Sequence, residues 1–208
     1  VITAKQFRLM DAKESLDVDK EAYWDVLFSD EHIFSLRGQN VKSDAEGVHK
    51  QITGTDGNVQ MASGYQSILY LGDLEDYRLN WYKSFYIIKY TSDNSERFFP
   101  KMPMIRLSEM YLIAAEGWME DDPEHAAELL QTLKQARTKS IVNKQTVTEE
   151  MILLEMRKEF VGEGQLFYVY KRLNHDIIGN TSEDGVKASN SVFVLPLPEE
   201  EIEYGYRN

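Results

Sequence analysis

The sequence predicts a mostly α-helical fold, built from tetratricopeptide-like helical hairpins with long loops and a few short strands. Three observations support this prediction. Apolar residues recur at helical spacing over residues 105–120. Asp122 and Pro123 then supply a helix N-cap and a proline at the first helical position, so we expect a second helix that runs to about Lys139. Residues 146–149 form a capping box, which begins a third helix.

The first two predicted helices form one hairpin. Each carries its apolar residues on one side, and the small side chains of Ala115 and Ala127 would let the two helices approach closely. The pair has the size of one tetratricopeptide unit, which is about 34 residues long. The sequence contains no second copy of this pattern, so periodicity alone does not establish a repeat array.

The third predicted helix continues through residues 155–174, where Gly162 and Gly164 interrupt it. An interior glycine costs a helix about 1 kcal/mol relative to alanine. Two glycines separated by a single residue therefore predict either a kink in this helix or a close backbone contact.

The first half of the chain reads as short elements between loops. We expect short helices at residues 17–27 and 65–71, a strand at 31–36 and β-structure at 85–90. Residues 38–64 are rich in Gly, Ser, Asp, Asn and Thr and have no apolar period, which predicts a long loop.

The last part of the chain is expected to be a polar loop at 176–191, an extended segment at 192–197 and a short acidic turn at 199–204. We therefore interpret the chain as a single domain of residues 1–208. Its predicted regions are a loop-rich mixed region at 1–103, a helical scaffold at 104–175 and a C-terminal loop with an extended tail at 176–208.

Composition limits the function classes. The chain has 208 residues, 42% of them hydrophobic, which is typical of a globular protein with a real core. Its net charge of −12 argues against nucleic acid and anionic membrane surfaces as partners. Cysteine is absent, so disulfides and thiolate chemistry are excluded. Because the chain opens at Val1 inside a patterned segment, we expect it to be a fragment of a longer protein.

The sequence predicts neither a catalytic residue, nor a metal site, nor a cofactor. Glu155, Glu159 and Glu163 lie four residues apart and could bind a metal or perform acid–base chemistry. The favoured interpretation of these three carboxylates is ion pairing with Arg157, Lys158, Lys171 or Arg172, or helix-end contacts in a buried corner. The four histidines lack metal-ligand spacing, and motifs for a nucleophilic serine or a phosphate-binding loop are missing.

An aromatic segment offers the best candidates for ligand binding. Sugar rings stack on aromatic side chains, while nearby amides, carboxylates and guanidiniums bind their hydroxyl groups. These residue types occur together within a short span, and the candidate ligand-binding residues are Tyr65, Tyr70, Asp76, Tyr77, Arg78, Trp81 and Tyr82. Packing in the hydrophobic core is the alternative for each aromatic ring among them.

Three motifs, in order along the chain, resemble those of the SusD/RagB-like nutrient-binding proteins. Residues 104–116 read M-I-R-L-S-E-M-Y-L-I-A-A-E and resemble the family's R-L-A-E-x-Y-L-x-x-A-E helix. Residues 159–172 resemble its E-[LF]-x-x-E-G-x-x-[WF]-x-D-L-K-R helix, and residues 195–202 resemble its L-P-I-P-x-x-E-I element. Residues 76–78 also resemble the D-x-R that precedes the first motif.

The resemblance covers about residues 76–204, which corresponds to the C-terminal part of a longer family member. It implies a SusD-like fold whose helices form the scaffold and whose variable loops hold the ligand. The chain departs from the family pattern at Leu166, where the family has Arg, and at Val169, where it has Asp. These departures suggest a divergent branch.

The resemblance also implies a function. Such proteins are non-catalytic lipoproteins on the extracellular face of the outer membrane, anchored by a lipid upstream of the part matched here. They bind an oligosaccharide or another nutrient for a SusC-like TonB-dependent transporter. Two alternatives stay open: a helical protein-interaction scaffold without ligand binding of its own, and a hydrolase acting through a carboxylate pair.

Overall fold

The computed structural model describes residues 1–11, 13, 25, 27–37, 65–71, 73–83, 86–87, 89, 101–179 and 185–198. Within these residues six helices and four strands have defined bounds. The helices are α1 (Tyr65–Tyr70), α2 (Leu107–Trp118), α3 (Pro123–Gln135), α4 (Glu149–Glu159), α5 (Leu166–Leu173) and α6 (Asn190–Phe193). The strands are β1 (His32–Arg37), β2 (Tyr82–Lys83), β3 (Tyr86–Ile87) and β4 (Lys101–Arg106), and 3-10 turns cover Ser29–Glu31 and Tyr77–Trp81.

The chain divides into two compact units, Val1–Glu163 and Gly164–Asn208. The first unit contains α1 to α4 and all four strands, and the second contains α5 and α6. Among the described residues, none of the helices combines the length and the apolar character that a membrane span requires.

Helices α2 and α3 form the predicted hairpin and confirm the mostly α-helical class. Asp122 caps α3, since its carboxylate accepts the backbone N–H of His125 at 3.0 Å, and Pro123 is the first helical residue. Ala115 and Ala127 are buried, as the close approach of the two helices requires.

Strand β4 was not predicted, and it corrects the start of the first helix. Residues 101–106 pair antiparallel with β1, with Phe34 opposite Ile105, so the helix begins at Leu107 and not at residue 105. Pro103 is tolerated because, among the residues that the structure describes, this sheet has two strands and each has an edge without a described partner. The strand predicted at 31–36 is confirmed as β1, and part of the β-structure predicted at 85–90 as β3.

The second helix is shorter than predicted, because it ends at Gln135 and not near Lys139. Beyond that point the backbone turns to meet the segment before the second 3-10 turn. The carbonyl of Arg137 accepts the N–H of Tyr77 at 2.9 Å, and the N–H of Lys139 donates to the carbonyl of Glu75 at 3.2 Å. These inter-segment hydrogen bonds replace the helical ones that would have continued α3.

The third helix was predicted to continue to residue 174, and this was wrong. Helix α4 begins at the predicted cap, where the Thr148 hydroxyl accepts the N–H of Met151 at 3.3 Å, but it ends at Glu159. Gly162 and Gly164 both have φ of 74°, in the left-handed region where glycine is the favoured residue. The two glycines therefore end the helix, and α5 begins afresh at Leu166.

The second unit contains a short hairpin-like loop. Ile177 and Val186 exchange backbone hydrogen bonds of 2.9 Å in both directions, and Asp176 accepts the N–H of Ala188 at 2.8 Å. The extended segment predicted at 192–197 begins later, because Asn190–Phe193 is helical and extended backbone starts at Val194.

Several sequence predictions fall outside the described residues. They are most of the helix at 17–27, the loop at 38–64 and the acidic turn at 199–204. In the first unit, the described core brings α1 and the second 3-10 turn together, and its largest apolar side chains include Phe28, Leu69, Tyr70 and Trp81. The rings of Phe28 and Trp81 lie 5.4 Å apart at 51°.

Candidate functional site

The carboxylate of Glu159, at the end of α4, lies at the centre of the first unit. Its Oε1 accepts hydrogen bonds from Arg106 at 2.8 Å and from Arg137 at 3.2 Å. Its Oε2 accepts from Arg78 and from Arg137, both at 3.1 Å. Three guanidiniums from three different segments therefore converge on one fully buried carboxylate.

A second layer of contacts surrounds the glycine turn after α4. The backbone carbonyl of Glu159 accepts from Lys89 Nζ at 2.8 Å and from Arg106 at 3.1 Å. The side chain of Glu163 accepts from Arg106 at 2.7 Å and forms a short contact with Lys89 Nζ. Lys89 and Arg106 thus fix the position where the helix ends.

Glu31 connects the first 3-10 turn to the start of α2. Its Oε1 accepts from Arg137 at 2.8 Å and from the N–H of Met10 at 2.9 Å, and its Oε2 accepts the N–H of Ser108 at 3.2 Å. Arg137 completes this link by donating to the carbonyl of Met10 at 2.6 Å.

Arg78 is bound from two sides. Asp76 accepts its backbone N–H and its Nε at 3.0 Å each, and one of its terminal nitrogens at 2.7 Å. That nitrogen also lies 2.6 Å from Oε1 of Glu155. Glu155 in turn lies 3.9 Å from the ammonium of Lys158.

Together these side chains form what we call the buried ion-pair cluster. Five carboxylates face five cations in it: Glu31, Asp76, Glu155, Glu159 and Glu163 with Arg78, Lys89, Arg106, Arg137 and Lys158. Ion pairing of the three glutamates was predicted, and Lys158 is a predicted partner that the cluster contains, but the cations closest to Glu155, Glu159 and Glu163 were not predicted. The main partners lie 22 to 81 positions away in the sequence, where local spacing gives no information.

The cluster changes the ionisation of its members. Burial alone would raise the pKa of Glu159, but the charges of Arg137, Arg106, Arg78 and Lys89 outweigh burial and hold that pKa well below its usual range. Burial lowers the pKa of Lys89 from 10.5 to about 8, and the charge of Glu163 opposes the shift. Glu159 is therefore a permanent anion at neutral pH.

Six of the seven predicted ligand-binding residues lie in or beside this cluster. Their side chains are at most 8% exposed, and they are Tyr70, Asp76, Tyr77, Arg78, Trp81 and Tyr82. Tyr65 is partly buried. The structure therefore brings the predicted residues together, with one of them partly accessible. Their ligand-binding role stays a prediction.

The aromatic members also contact the cations of the cluster. Lys89 Nζ lies 3.8 Å from the centre of the Trp81 ring, and Lys158 Nζ lies 5.3 Å from that of Tyr70. The Tyr70 and Tyr82 rings meet edge to face, with centres 6.1 Å apart. In this arrangement the aromatic rings pack around the buried charged groups.

A polar cavity of about 210 Å³ opens beside Arg78. Its floor includes Asp76, Arg78, Glu155 and Lys158, which are buried members of the ion-pair cluster. Its walls and rim come from Asp73, from Lys134 on α3 and from the loop after α3, and the loop residues are Thr138, Ser140, Ile141, Val142, Asn143 and Gln145. Asp76 and Arg78 are thus predicted site residues that line a cavity.

Sequence reasoning missed several of these residues. Lys89, Arg106 and Arg137 were not predicted as partners of the glutamates, and Lys134 and the loop after α3 were not predicted to line a site. A signal existed for Arg106, because it is the charged first residue of the family's R-L-A-E pattern, but that pattern does not identify its partners. Among the described residues, no group of three or more His, Cys, Asp or Glu side chains could hold a metal ion.

Comparisons with known proteins identify one matching family and three similar solved structures. A sequence model of the SusD family matches residues 30–203. A SusD superfamily protein from Bacteroides thetaiotaomicron superposes with a TM-score of 0.69 and 25% identity, covering 96% of this chain and 51% of that one. A candidate sugar-binding protein from Bacteroides vulgatus superposes with a TM-score of 0.67 and 24% identity, covering 97% and 50%.

A SusD superfamily protein from Bacteroides fragilis is similar at a TM-score of 0.64 and 19% identity, over 97% of this chain and 49% of that one. The chain therefore spans about half the length of each of these three structures. No curated protein sequence matches the chain.

Proposed function

The chain belongs to the SusD family, and from that premise we propose that it is a non-catalytic component that binds a glycan or another nutrient. In this proposal it acts on the extracellular face of the outer membrane, with a SusC-like TonB-dependent transporter as its partner. A lipid anchor in the full-length protein would hold it there. The family match over residues 30–203 is the observation that carries the proposal.

Features of the structure itself also support a binding role. The glutamates that could have served an enzyme are ion-paired in the cluster, and Glu159 is fully buried. General acid–base catalysis works best when the group has a pKa near the working pH, whereas the pKa of Glu159 lies well below its usual range. The similar protein from Bacteroides vulgatus, a candidate sugar-binding protein, favours a sugar as ligand.

We assign the ligand to the polar cavity. Asp76 and Arg78 lie in its floor, and exposed Asn143 and Gln145 lie at its rim. The volume of about 210 Å³ is below the roughly 300–1,000 Å³ of sites for drug-sized ligands, so it suits one sugar ring or the end of a chain. Direct contacts from Tyr70, Tyr77, Trp81 or Tyr82 would require the buried core to open, whereas Tyr65 is partly accessible.

Calorimetry with a panel of oligosaccharides tests the binding role. Asn143→Trp would place a large ring at the rim and is expected to abolish binding. Gln6→Trp introduces the same ring at an exposed position that does not line the cavity, and should leave binding unchanged. Failure of the whole panel to bind would overturn the proposal, and equal binding by both variants would remove the ligand from this cavity. Release of shorter sugars during incubation would contradict the non-catalytic assignment.

The transporter partnership needs its own measurement. Co-expression with a TonB-dependent transporter encoded beside this chain should allow the two to purify together. If no such gene lies nearby and no transporter co-purifies, the partnership fails while ligand binding can still hold.

A helical interaction scaffold is the second candidate. It is favoured by exposed apolar side chains on α2, where Ile113 is 50% and Trp118 is 45% exposed. Co-purification of the transporter without any sugar, lost in an Ile113→Ser and Trp118→Ser double variant, would select this function if the oligosaccharide panel is negative.

A further inference from the structure

The ammonium of Lys158 faces the polar cavity and makes no hydrogen bond with the described residues. The side chain is 8% exposed and lines the polar cavity. Its closest carboxylate oxygen, in Glu155, lies 3.9 Å away, which is longer than the 2.7–3.2 Å range of N–H···O hydrogen bonds. The described residues offer it no other acceptor within reach. An ammonium carries three donors, and those of Lys158 are available to a group bound in the cavity.

Lys134 supplies a second ammonium to the same cavity. It projects from α3, lines the cavity, and makes no hydrogen bond or ion pair with the described residues. Burial lowers the pKa of Lys158, the charge of Glu155 opposes that shift, and the charge of Lys134 adds a smaller lowering. Two neighbouring cations without close acceptors favour an anionic group between them.

The carboxylates of the cavity floor meet this need only in part, through the 3.9 Å ion pair of Lys158 with Glu155. Asp76 makes three hydrogen bonds to Arg78, and Glu155 lies 2.6 Å from the same guanidinium. The cavity lining contains three acidic and three basic side chains, namely Asp73, Asp76 and Glu155 with Arg78, Lys134 and Lys158. The preference for an anion therefore comes from the unused donors, since the net charge of the lining is balanced.

The rest of the cavity suits hydroxyl groups. Oδ1 of Asp73 accepts from Thr138 at 3.3 Å and from Ser140 at 3.1 Å, while its Oδ2 accepts nothing from the described residues. The side-chain amides of Asn143 and Gln145 lie at the rim, and they too make no hydrogen bond within the described part of the chain. One carboxylate oxygen and two amides are thus available to bind hydroxyls.

We propose that the polar cavity binds an acidic sugar, with the sugar carboxylate between Lys134 and Lys158 and the ring hydroxyls on Asp73, Asn143 and Gln145. The inference rests on the proposed binding function and narrows its ligand class to a carboxylate-bearing polyol of one ring. The balanced lining explains how one pocket can hold both the anionic and the neutral parts of such a ligand.

The test compares ligands that differ in one chemical group. Galacturonic acid carries the carboxylate, its methyl ester has nearly the same size without the charge, galactose lacks the group, and succinate carries carboxylates without a ring. Calorimetry should show galacturonic acid binding at least about tenfold more tightly than the other three, the effect of about one charged hydrogen bond.

Lys134→Met should remove this preference and leave binding of the methyl ester nearly unchanged. Lys134 is partly exposed, so we expect the variant to fold, and its thermal unfolding checks this. Lys171→Met is the matched control, because it also removes one positive charge, from an exposed lysine that does not line the cavity. Lys158→Met is the second test, because it removes the other ammonium, which lies in the cavity floor.

The outcomes separate this inference from the proposed function. If the ester or galactose binds as tightly as galacturonic acid, or if both lysine variants keep the preference, the acidic-sugar assignment is overturned and glycan binding stands. Tight binding of succinate would show that a carboxylate binds without a sugar ring, which overturns the assignment of a sugar as the ligand. Absence of galacturonic acid binding overturns the assignment, while the oligosaccharide panel decides the binding function separately.

Discussion

One carboxylate, that of Glu159, holds together three segments of the first unit. Both of its oxygens and its backbone carbonyl accept hydrogen bonds from charged side chains, and the side chain is fully buried. Breaking a buried ion pair by removing one partner costs more than forming the pair contributes, because the other charge is left without compensation. Glu159 is therefore the residue whose replacement should be most severe.

Glu159→Gln is expected to lower the free energy of unfolding by about 3–5 kcal/mol, since it leaves Arg78, Arg106 and Arg137 without their shared anion. Urea denaturation at neutral pH measures this loss. Glu120→Gln serves as the control, because Glu120 is exposed at the end of the α2–α3 hairpin, and it should change stability by less than about 0.5 kcal/mol. A loss below about 1 kcal/mol for Glu159→Gln would contradict the central role of this carboxylate.

The pKa of Lys89 predicts a pH dependence of stability. In the folded chain it is lowered to about 8, against 10.5 for an ordinary lysine, so between these values the unfolded chain binds more protons. Stability from this group therefore rises as the pH increases from about 8 to 10.5, and below about 8 its contribution is constant.

Denaturation of the wild type and of Lys89→Met at several pH values isolates this effect. Within that window, the free energy of unfolding of the wild type should rise relative to that of the variant by up to about 1.4 kcal/mol per pH unit. A stability difference that stays flat would show that Lys89 keeps its ordinary pKa, and one that falls as the pH rises would show that its pKa is raised.

At the scale of elements, local signals predicted the helices and failed where tertiary contacts take over. The caps at Asp122 and Thr148 correctly placed the starts of α3 and α4, because each forms hydrogen bonds within three residues. The end of α3 and the strand β4 were not predicted. Both depend on pairing with segments distant in sequence, so no local pattern encodes them.

Two glycines allow a matched test of backbone conformation. Gly117 lies within α2, and a Cβ there would meet nothing within 4 Å. Gly117→Ala should therefore stabilise the first unit by about 0.5–1 kcal/mol, the difference in helix propensity between the two residues. Gly164 also has open space around it, but its φ is 74°.

Gly164→Ala should instead destabilise by about 1–3 kcal/mol, because only the backbone conformation resists the new side chain. Thermal or urea unfolding of both variants provides the comparison. Equal effects of the same sign would mean that the glycine turn tolerates any residue and that something else ends α4.

At the scale of the whole molecule, the fold class and the family were predictable, and most of the site was not. Helical periodicity and three short motifs predicted a SusD-like fold, and the match over residues 30–203 confirms the family. The candidate ligand residues were chosen by chemical type, which cannot distinguish the inside of a core from the lining of a cavity. Trp81 is fully buried, whereas Lys134, which lacks any sequence motif, lines the polar cavity.

Amide hydrogen exchange should reveal where the first unit is most stable. Helix α2 packs against both α3 and α4, whereas β2 and β3 pair over two residues each. We expect the slowest exchange at the buried positions of α2, such as Leu112, and much faster exchange in β2 and β3. Comparable rates in these elements would show that the helices do not form the stable frame of the unit.

The arrangement around Glu159 also restricts how the sequence can diverge. A change at Arg78, Arg106 or Arg137 leaves a charge imbalance that the surrounding apolar side chains cannot relieve, since all three side chains are buried. Descendants of this chain should therefore lose or exchange these residues in concert, one acid together with one base. Single replacements would persist only when a compensating second change already exists elsewhere in the same gene.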